Sequence, residues 1–221
     1  MHYFLDLDGV IIDSAQECYE VSSKVIYNSI NQSQFYRDKF FKYRGLVLNA
    51  KEFLILHNVL NNLKSYDEDN VEKLFMSALN EISDKVLIKF EENFFLEREL
   101  MISSNLNHWL NLNPLTKFGQ FLVNEKLTNL IIITSKNSSS AKLILDYSKI
   151  EYIDLFGADE INNLKTKGNL ISKYLDHKKI NKAIFIDDSV RNLDTCRDSR
   201  VKCFFADWGY GKNSDYENYL F

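Results

Sequence analysis

Short apolar runs alternate with amphipathic stretches in two parts of this chain, and a long purely amphipathic stretch separates them. Tyr3-Phe4-Leu5 is a strand-like start, and Leu130-Ile131-Ile132-Ile133 is a continuous apolar run of the kind found in a buried parallel strand. Tyr152 to Phe156, Ala183-Ile184-Phe185-Ile186 and Val201 to Ala206 are further strand candidates. Helical spacing fills Lys117 to Lys126, Ser139 to Tyr147 and Asn169 to Leu175 between them. Strands and helices in alternation predict an α/β fold with a doubly wound parallel sheet.

The intervening stretch has a different period. Cys18, Tyr19, Val25, Ile26 and Ile30 share one helical face, with Ser14 as a candidate N-cap. A second helix is predicted over Ala50, Phe53, Leu54, His57, Leu60 and Leu63, and a third over Val71, Leu74, Phe75, Ala78, Leu79, Ile82 and Val86. No strand is predicted between Gln16 and Leu112, and the Phe and Tyr residues there read as packing between helices. The predicted organisation is a core of residues 1–14 and 114–221 with a helical insertion, 15–113. An insertion directly after the first strand is expected to serve as a lid.

Chemistry gathers where strands end. Asp6-Leu7-Asp8-Gly9 follows the first strand, and carboxylates at a buried strand end are costly unless a cation or hydrogen-bond donors compensate them. An EF-hand calcium loop ending at Glu17 is excluded, because Ile11 stands where its glycine belongs and Val10 where an oxygen ligand belongs. The apolar run at Ile133 ends in Thr134-Ser135-Lys136-Asn137, which offers hydroxyls and backbone N–H groups suited to phosphate oxygens. Thr134 is equally readable as a helix cap. A second acidic pair, Asp187-Asp188, closes the strand at Ile186; with Asp6 and Asp8 it supplies the hard oxygen ligands that suit Mg2+ and not zinc. Two lysines, Lys165 and Lys167, precede the helix at Leu170. Lys167 is favoured for a phosphoryl group, since Leu170, Ile171, Tyr174 and Leu175 follow it by three, four, seven and eight residues and place it in the first helical turn. In the insertion, Arg44 beside Gly45 is a candidate for touching an anionic substrate.

Composition narrows the function classes. A net charge of −4 without a Lys/Arg run argues against a nucleic-acid partner. Cys18, Cys196 and Cys203 form no Cys-x-x-Cys pattern, which fits a reducing, cytoplasmic compartment and excludes a structural zinc site. An acid already at the sixth residue leaves no room for a signal peptide, and no apolar segment is long enough to predict a membrane span. There is no Walker phosphate loop and no nucleophile elbow.

Asp6-Leu7-Asp8-Gly9-Val10, Thr134, a lysine at Lys165 or Lys167 and the Asp187-Asp188 strand end together resemble the haloacid dehalogenase (HAD) superfamily of hydrolases. The placement of the insertion resembles members whose helical cap follows the first motif, and Asp207-Trp208-Gly209-Tyr210-Gly211 resembles the tail of the phosphoglycolate-phosphatase-like branch. The resemblance departs in two places: neither lysine precedes a proline, and Asn192 stands where a further acid is common. It implies a Rossmann-like core with an inserted α-helical cap and a magnesium-dependent phosphatase acting on a small phosphorylated metabolite. Asp6 would be the nucleophile, Asp8 the general acid/base, and Thr134, Ser135 and the lysine the phosphate ligands. A phosphomutase of the same superfamily, or a binding protein that kept the fold, are the alternatives. The expected partner is that metabolite, with no nucleic-acid polymer and no membrane, for a monomer or homodimer.

Overall fold

All four residues of Leu130–Ile133 are buried, as a strand covered on both faces requires. In the computed structural model, which describes residues 1–31, 33–63 and 70–211, it is β2 of a five-stranded parallel sheet. The other strands are β1 (His2–Leu5), β3 (Asp154–Phe156), β4 (Ala183–Asp187) and β5 (Val201–Phe205), in the order β3-β2-β1-β4-β5. The fold is thus the Rossmann-like α/β class that the strand pattern predicts. The chain moves outward from β1 to β3 and then returns to the other side of β1. That reversal makes the carboxyl ends of β1 and β4 the topological switch point, the place where open α/β sheets bind ligands.

The chain divides into two compact units, Met1–Asp13 with Pro114–Phe221, and Ser14–Asn113. In the first, α7 (Lys117–Glu125), α8 (Ser138–Ser148), α9 (Ala158–Leu164), α10 (Lys167–Lys178) and α11 (Val190–Leu193) accompany the sheet. Phe4, Ile131, Ile133, Ile171, Leu175 and Phe185 form the centre of its core. The second unit contains α1 (Ala15–Tyr27), α2 (Gln34–Tyr43), α3 (Glu52–Asn62), α4 (Val71–Glu81), α5 (Asp84–Ser104) and α6 (Leu106–Asn111). Aromatic rings run through its core: those of Phe40, Phe53 and Phe94 stack in succession, at 5.7 and 5.4 Å between centroids. Among the described residues no helix is long and apolar enough to cross a membrane.

Two helical expectations need correction. The first helix stops at Asn28, in the left-handed conformation, before it reaches Ile30. The run from Val71 to Val86 is two helices, because Ile82 is extended and Ser83-Asp84 starts a new helix with an N-cap residue and an acid in its first turn. Among the described residues the sequence pattern did not show α2, whose buried stripe is only Phe40 and Tyr43, nor α5 beyond its first turn, α6, the seven-residue α9 or the short α11.

Two polar features lie inside the helical unit. Glu17, fully buried in the first turn of α1, accepts from Arg98 Nε at 2.7 Å, from Arg98 Nη2 at 3.0 Å and from Trp109 Nε1 at 3.2 Å. The guanidinium also lies over the Phe94 ring, 4.7 Å from its centroid. This is a bidentate ion pair with a third donor, the arrangement that makes a buried pair tolerable.

The second feature is a relay of hydrogen bonds through His57. Ser22 Oγ donates to the Cys18 carbonyl at 2.6 Å, so it accepts from His57 Nε2, 2.8 Å away. His57 Nδ1 is then free to accept from the Tyr36 hydroxyl at 2.7 Å. Burial pulls the imidazole pKa down to about 3. The unfolded chain, with a pKa of about 6.5, therefore takes up a proton as the pH falls below that value, while the folded protein does not. Stability is complete above that pH and declines below it, by about 1.4 kcal/mol per pH unit from this group. Urea unfolding of wild type and His57→Gln at pH 7, 6 and 5 should show that extra decline in wild type alone. Equal slopes would mean that His57 is charged in the folded protein.

Candidate active site

The parallel register places Leu5 beside both Ile132 and Ile186, so the residues that follow β1, β2 and β4 emerge together at one edge of the sheet. Asp6, whose N–H donates to the Ile186 carbonyl at 3.0 Å, stands at the centre of that edge. The chain then turns back on itself, with the N–H groups of Ile11 and Ile12 both donating to the Leu7 carbonyl. Gly9 makes the turn possible. Its φ is +83°, and a Cβ there would lie 2.2 Å from Asp188 Oδ2.

Asp6, Asp187 and Asp188 are all buried and each offers an oxygen within 4.8 Å of the others'. Lys167, also buried, reaches Asp6 Oδ1 at 2.9 Å and Asp187 Oδ2 at 2.8 Å. It occupies the first turn of α10, behind Thr166, whose hydroxyl caps the helix by accepting from Asn169 N–H. Burial works against the ammonium, but Asp187 and then Asp6 outweigh it and hold Lys167 protonated. The Asp6 carboxyl is pushed well above the usual carboxylate range, chiefly by burial, against the pull of Lys167 and with the help of Asp187, Asp188 and Asp8. Lys165 is exposed at the end of α9, with a φ of +70°. Of the two candidate lysines, it is Lys167 that meets the carboxylates.

Asp187 is held by further donors: Ser189 N–H at 2.8 Å and the Asn192 side-chain amide at 3.1 Å to each oxygen. An acid at position 192 would repel Asp187; the amide supports it. Asp188 accepts from Tyr210 N–H at 2.6 Å, and Gly209 leaves the room, since a Cβ there would come 2.3 Å from Asp188 Cβ. The Asp207–Gly211 tail also clasps the first loop, through Trp208 Nε1 to the Val10 carbonyl and the Tyr210 hydroxyl to Asp13. Sequence reasoning marked that tail but gave it no such work.

Asp8 has a separate setting. Its carboxylate accepts from the Thr134 hydroxyl at 3.4 Å and pairs with Lys136 Nζ at 3.2 Å. Thr134 is fully buried and accepts from Lys136 N–H, while Asn137 takes the N-cap position of α8. The helix-cap reading of Thr134 therefore gives way to a contact with Asp8. Ser135 is half-buried in the same loop. Lys136 was not among the expected site residues. Arg44 belongs to the helical unit, where it is buried, donates from Nη1 to the Val47 carbonyl at 2.9 Å and lies over the Phe53 ring at 4.9 Å.

The charges explain what the cluster can hold. Four carboxylates (Asp6, Asp8, Asp187, Asp188) meet two ammoniums (Lys136, Lys167), a formal excess of two negative charges. A divalent cation would cancel that excess, and an all-oxygen donor set selects a hard one such as Mg2+. The residues fit such an ion.

Comparison with known proteins bears on family and fold. The family model for haloacid dehalogenase-like hydrolases matches residues 45–206. The match begins after β1, so Asp6 and Asp8 lie outside it. Among solved structures, a haloacid dehalogenase-like hydrolase from Streptococcus pneumoniae is similar at 17% identity and TM-score 0.58, covering 99% of this chain and 90% of its own. A predicted phosphatase from Clostridium acetobutylicum is similar at 16% identity and TM-score 0.60, covering 98% and 89%. A predicted phosphoglycolate phosphatase from Haemophilus somnus shares 14% identity at TM-score 0.62, covering 96% and 87%. At such identities the likeness is one of fold. No curated protein matches the chain.

Proposed function

Because the chain belongs to the haloacid dehalogenase-like hydrolase family, we propose that it is a magnesium-dependent phosphatase that cleaves a small phosphomonoester through an aspartyl-phosphate on Asp6. The observation that carries this reading is the buried Asp6–Lys167–Asp187 contact at the switch point of the sheet. An oxygen of Asp6 attacks phosphorus in line as the bond to the leaving alcohol breaks. Asp8 gives that alcohol a proton and then takes one from the water that hydrolyses the acyl phosphate. Lys136 and Thr134 hold the Asp8 carboxylate for both transfers. Lys167 balances charge that develops on the phosphoryl oxygens, and the Ser135 hydroxyl with nearby N–H groups orients them, while the Thr134 hydroxyl stays with Asp8. Asp6, Asp187 and Asp188 would hold the magnesium ion, which supplies Lewis-acid stabilisation of the same oxygens when bound. The helical unit is the inserted cap of this fold.

Phosphate release from sugar phosphates, phosphoglycolate and nucleoside monophosphates, with magnesium and with EDTA, tests the proposal. Release from at least one ester should fall by on the order of 10²-fold or more on metal removal. Release from none of them would sink the reading, and release that EDTA leaves intact would remove the metal from it.

A further inference from the structure

A second concavity lies away from the acidic edge, between the outer strand β3 and helices α9 and α10, with a volume of about 550 Å³. That is within the range of small-molecule sites. Leu170, Lys173, Tyr174, His177 and Lys178 follow the i, i+3, i+4, i+7, i+8 spacing and so share one face of α10 toward it. The floor is apolar and partly aromatic: Phe156 and Tyr174 meet edge to face at 5.7 Å, flanked by Leu164 and Leu170.

The charges around this floor are not balanced in their use. Both acids are occupied by internal donors. Asp154 accepts from the Tyr174 hydroxyl at 2.6 Å, and Glu160 accepts from Gly157 N–H at 2.9 Å and the Ser138 hydroxyl at 3.3 Å. The cations are uncommitted: among the described residues Lys173 and His177 make no ion pair or hydrogen bond, and Lys178 rests only over the Tyr174 ring at 5.6 Å. Asp154 and Glu160 carry formal charges, so with Lys173 and Lys178 the lining is formally neutral, and the carboxyl end of α10 adds roughly half a negative charge. What sets the two ammoniums apart is that neither has a hydrogen-bond or ion-pair partner among the described residues. A ligand entering here meets an apolar, partly aromatic floor and two ammoniums without a carboxylate partner.

We propose that this cavity is a binding site, separate from the acidic cluster, for a small organic anion with a planar apolar body. The body packs against the edge-to-face pair of Phe156 and Tyr174, and the anionic group meets Lys173 and Lys178. It needs no phosphatase activity and stands or falls apart from that reading.

The probe is 8-anilinonaphthalene-1-sulfonate, a planar apolar anion whose fluorescence rises on binding, with the uncharged N-phenyl-1-naphthylamine as its control. Saturable binding of the sulfonate should weaken about tenfold or more in K173E/K178E, while the neutral probe changes less than about twofold. Asp6→Asn and millimolar inorganic phosphate, which act on the acidic cluster, should leave the sulfonate bound. Both lysines are exposed, and circular dichroism checks the fold; should the double variant misfold, Lys173→Gln and Lys178→Gln singly carry the same test. Sulfonate affinity unchanged by the lysine substitutions, equal loss of both probes, or displacement by phosphate would overturn the proposal.

Discussion

Asp6→Asn protein is expected to fold and to release no measurable phosphate from any ester that wild type hydrolyses. The substitution keeps the shape of the side chain and an oxygen that can accept the Leu7 N–H, now 2.7 Å from Asp6 Oδ1. It removes the charge and the lone pair that would attack phosphorus. Loss of a nucleophile costs roughly 10⁴-fold or more in kcat, because the remaining groups cannot substitute for it. Stability should move the other way. Burial and three neighbouring acids raise the Asp6 pKa, so ionised Asp6 is poorly tolerated without a cation and an amide relieves the repulsion. Steady-state phosphate release and urea unfolding in EDTA measure both effects. Turnover within tenfold of wild type would refute the nucleophile assignment; a large drop in stability would mean that Asp6 is chiefly a structural partner of Lys167.

The second large effect belongs to Lys167. Its ammonium lies between two buried carboxylates, and Lys167→Met leaves both without it. Removing one partner of a buried ion pair costs about 3–5 kcal/mol, most of it the desolvation of the charge left behind. Activity should fall on the order of 10²- to 10³-fold, the scale of one preorganised electrostatic contact. Lys165→Met is the matched control, two residues away and exposed, with an expected stability change within about 0.5 kcal/mol. Equal losses in kcat for the two variants would move the phosphate contact off Lys167.

Much of this was legible in the sequence because the relevant signals are local. Four consecutive apolar residues at Leu130–Ile133 can only be a covered strand in an alternating pattern, and the offsets from Lys167 to Leu170, Ile171, Tyr174 and Leu175 fix it in a first helical turn. What the sequence hid depends on partners distant along the chain. Lys136 reads as a solvated loop lysine until β1 and β2 pair and bring Asp8 to it. Asn192 looks like a lost acid until its amide is found on both oxygens of Asp187. Arg44 beside a glycine looked free to reach a substrate, but its guanidinium is engaged by Val47 and Phe53. The break at Ile82-Ser83 was masked by apolar residues that continue the helical period across it.

The ion pair of Glu17 with Arg98 has a consequence for how the interrupted core assembles. It joins residues 81 apart, and Trp109 extends the tie to 92, so the two ends of the helical insertion are held together by the insertion's own contacts. Within the core, Asp13 N–H donates to the Pro114 carbonyl at 2.8 Å, a second clasp just outside the first. For β1 to pair with β2, the chain must close a loop of about 120 residues, and closure entropy grows with the logarithm of loop length. Once the insertion has folded, the span that is still free shrinks to about thirty residues, and the closure cost falls by about 1 kcal/mol. The helical unit then behaves, for the strand order around it, as a short link: it can vary in length and sequence while β1 still finds its place between β2 and β4, provided that Glu17, Arg98 and Trp109 keep its ends joined.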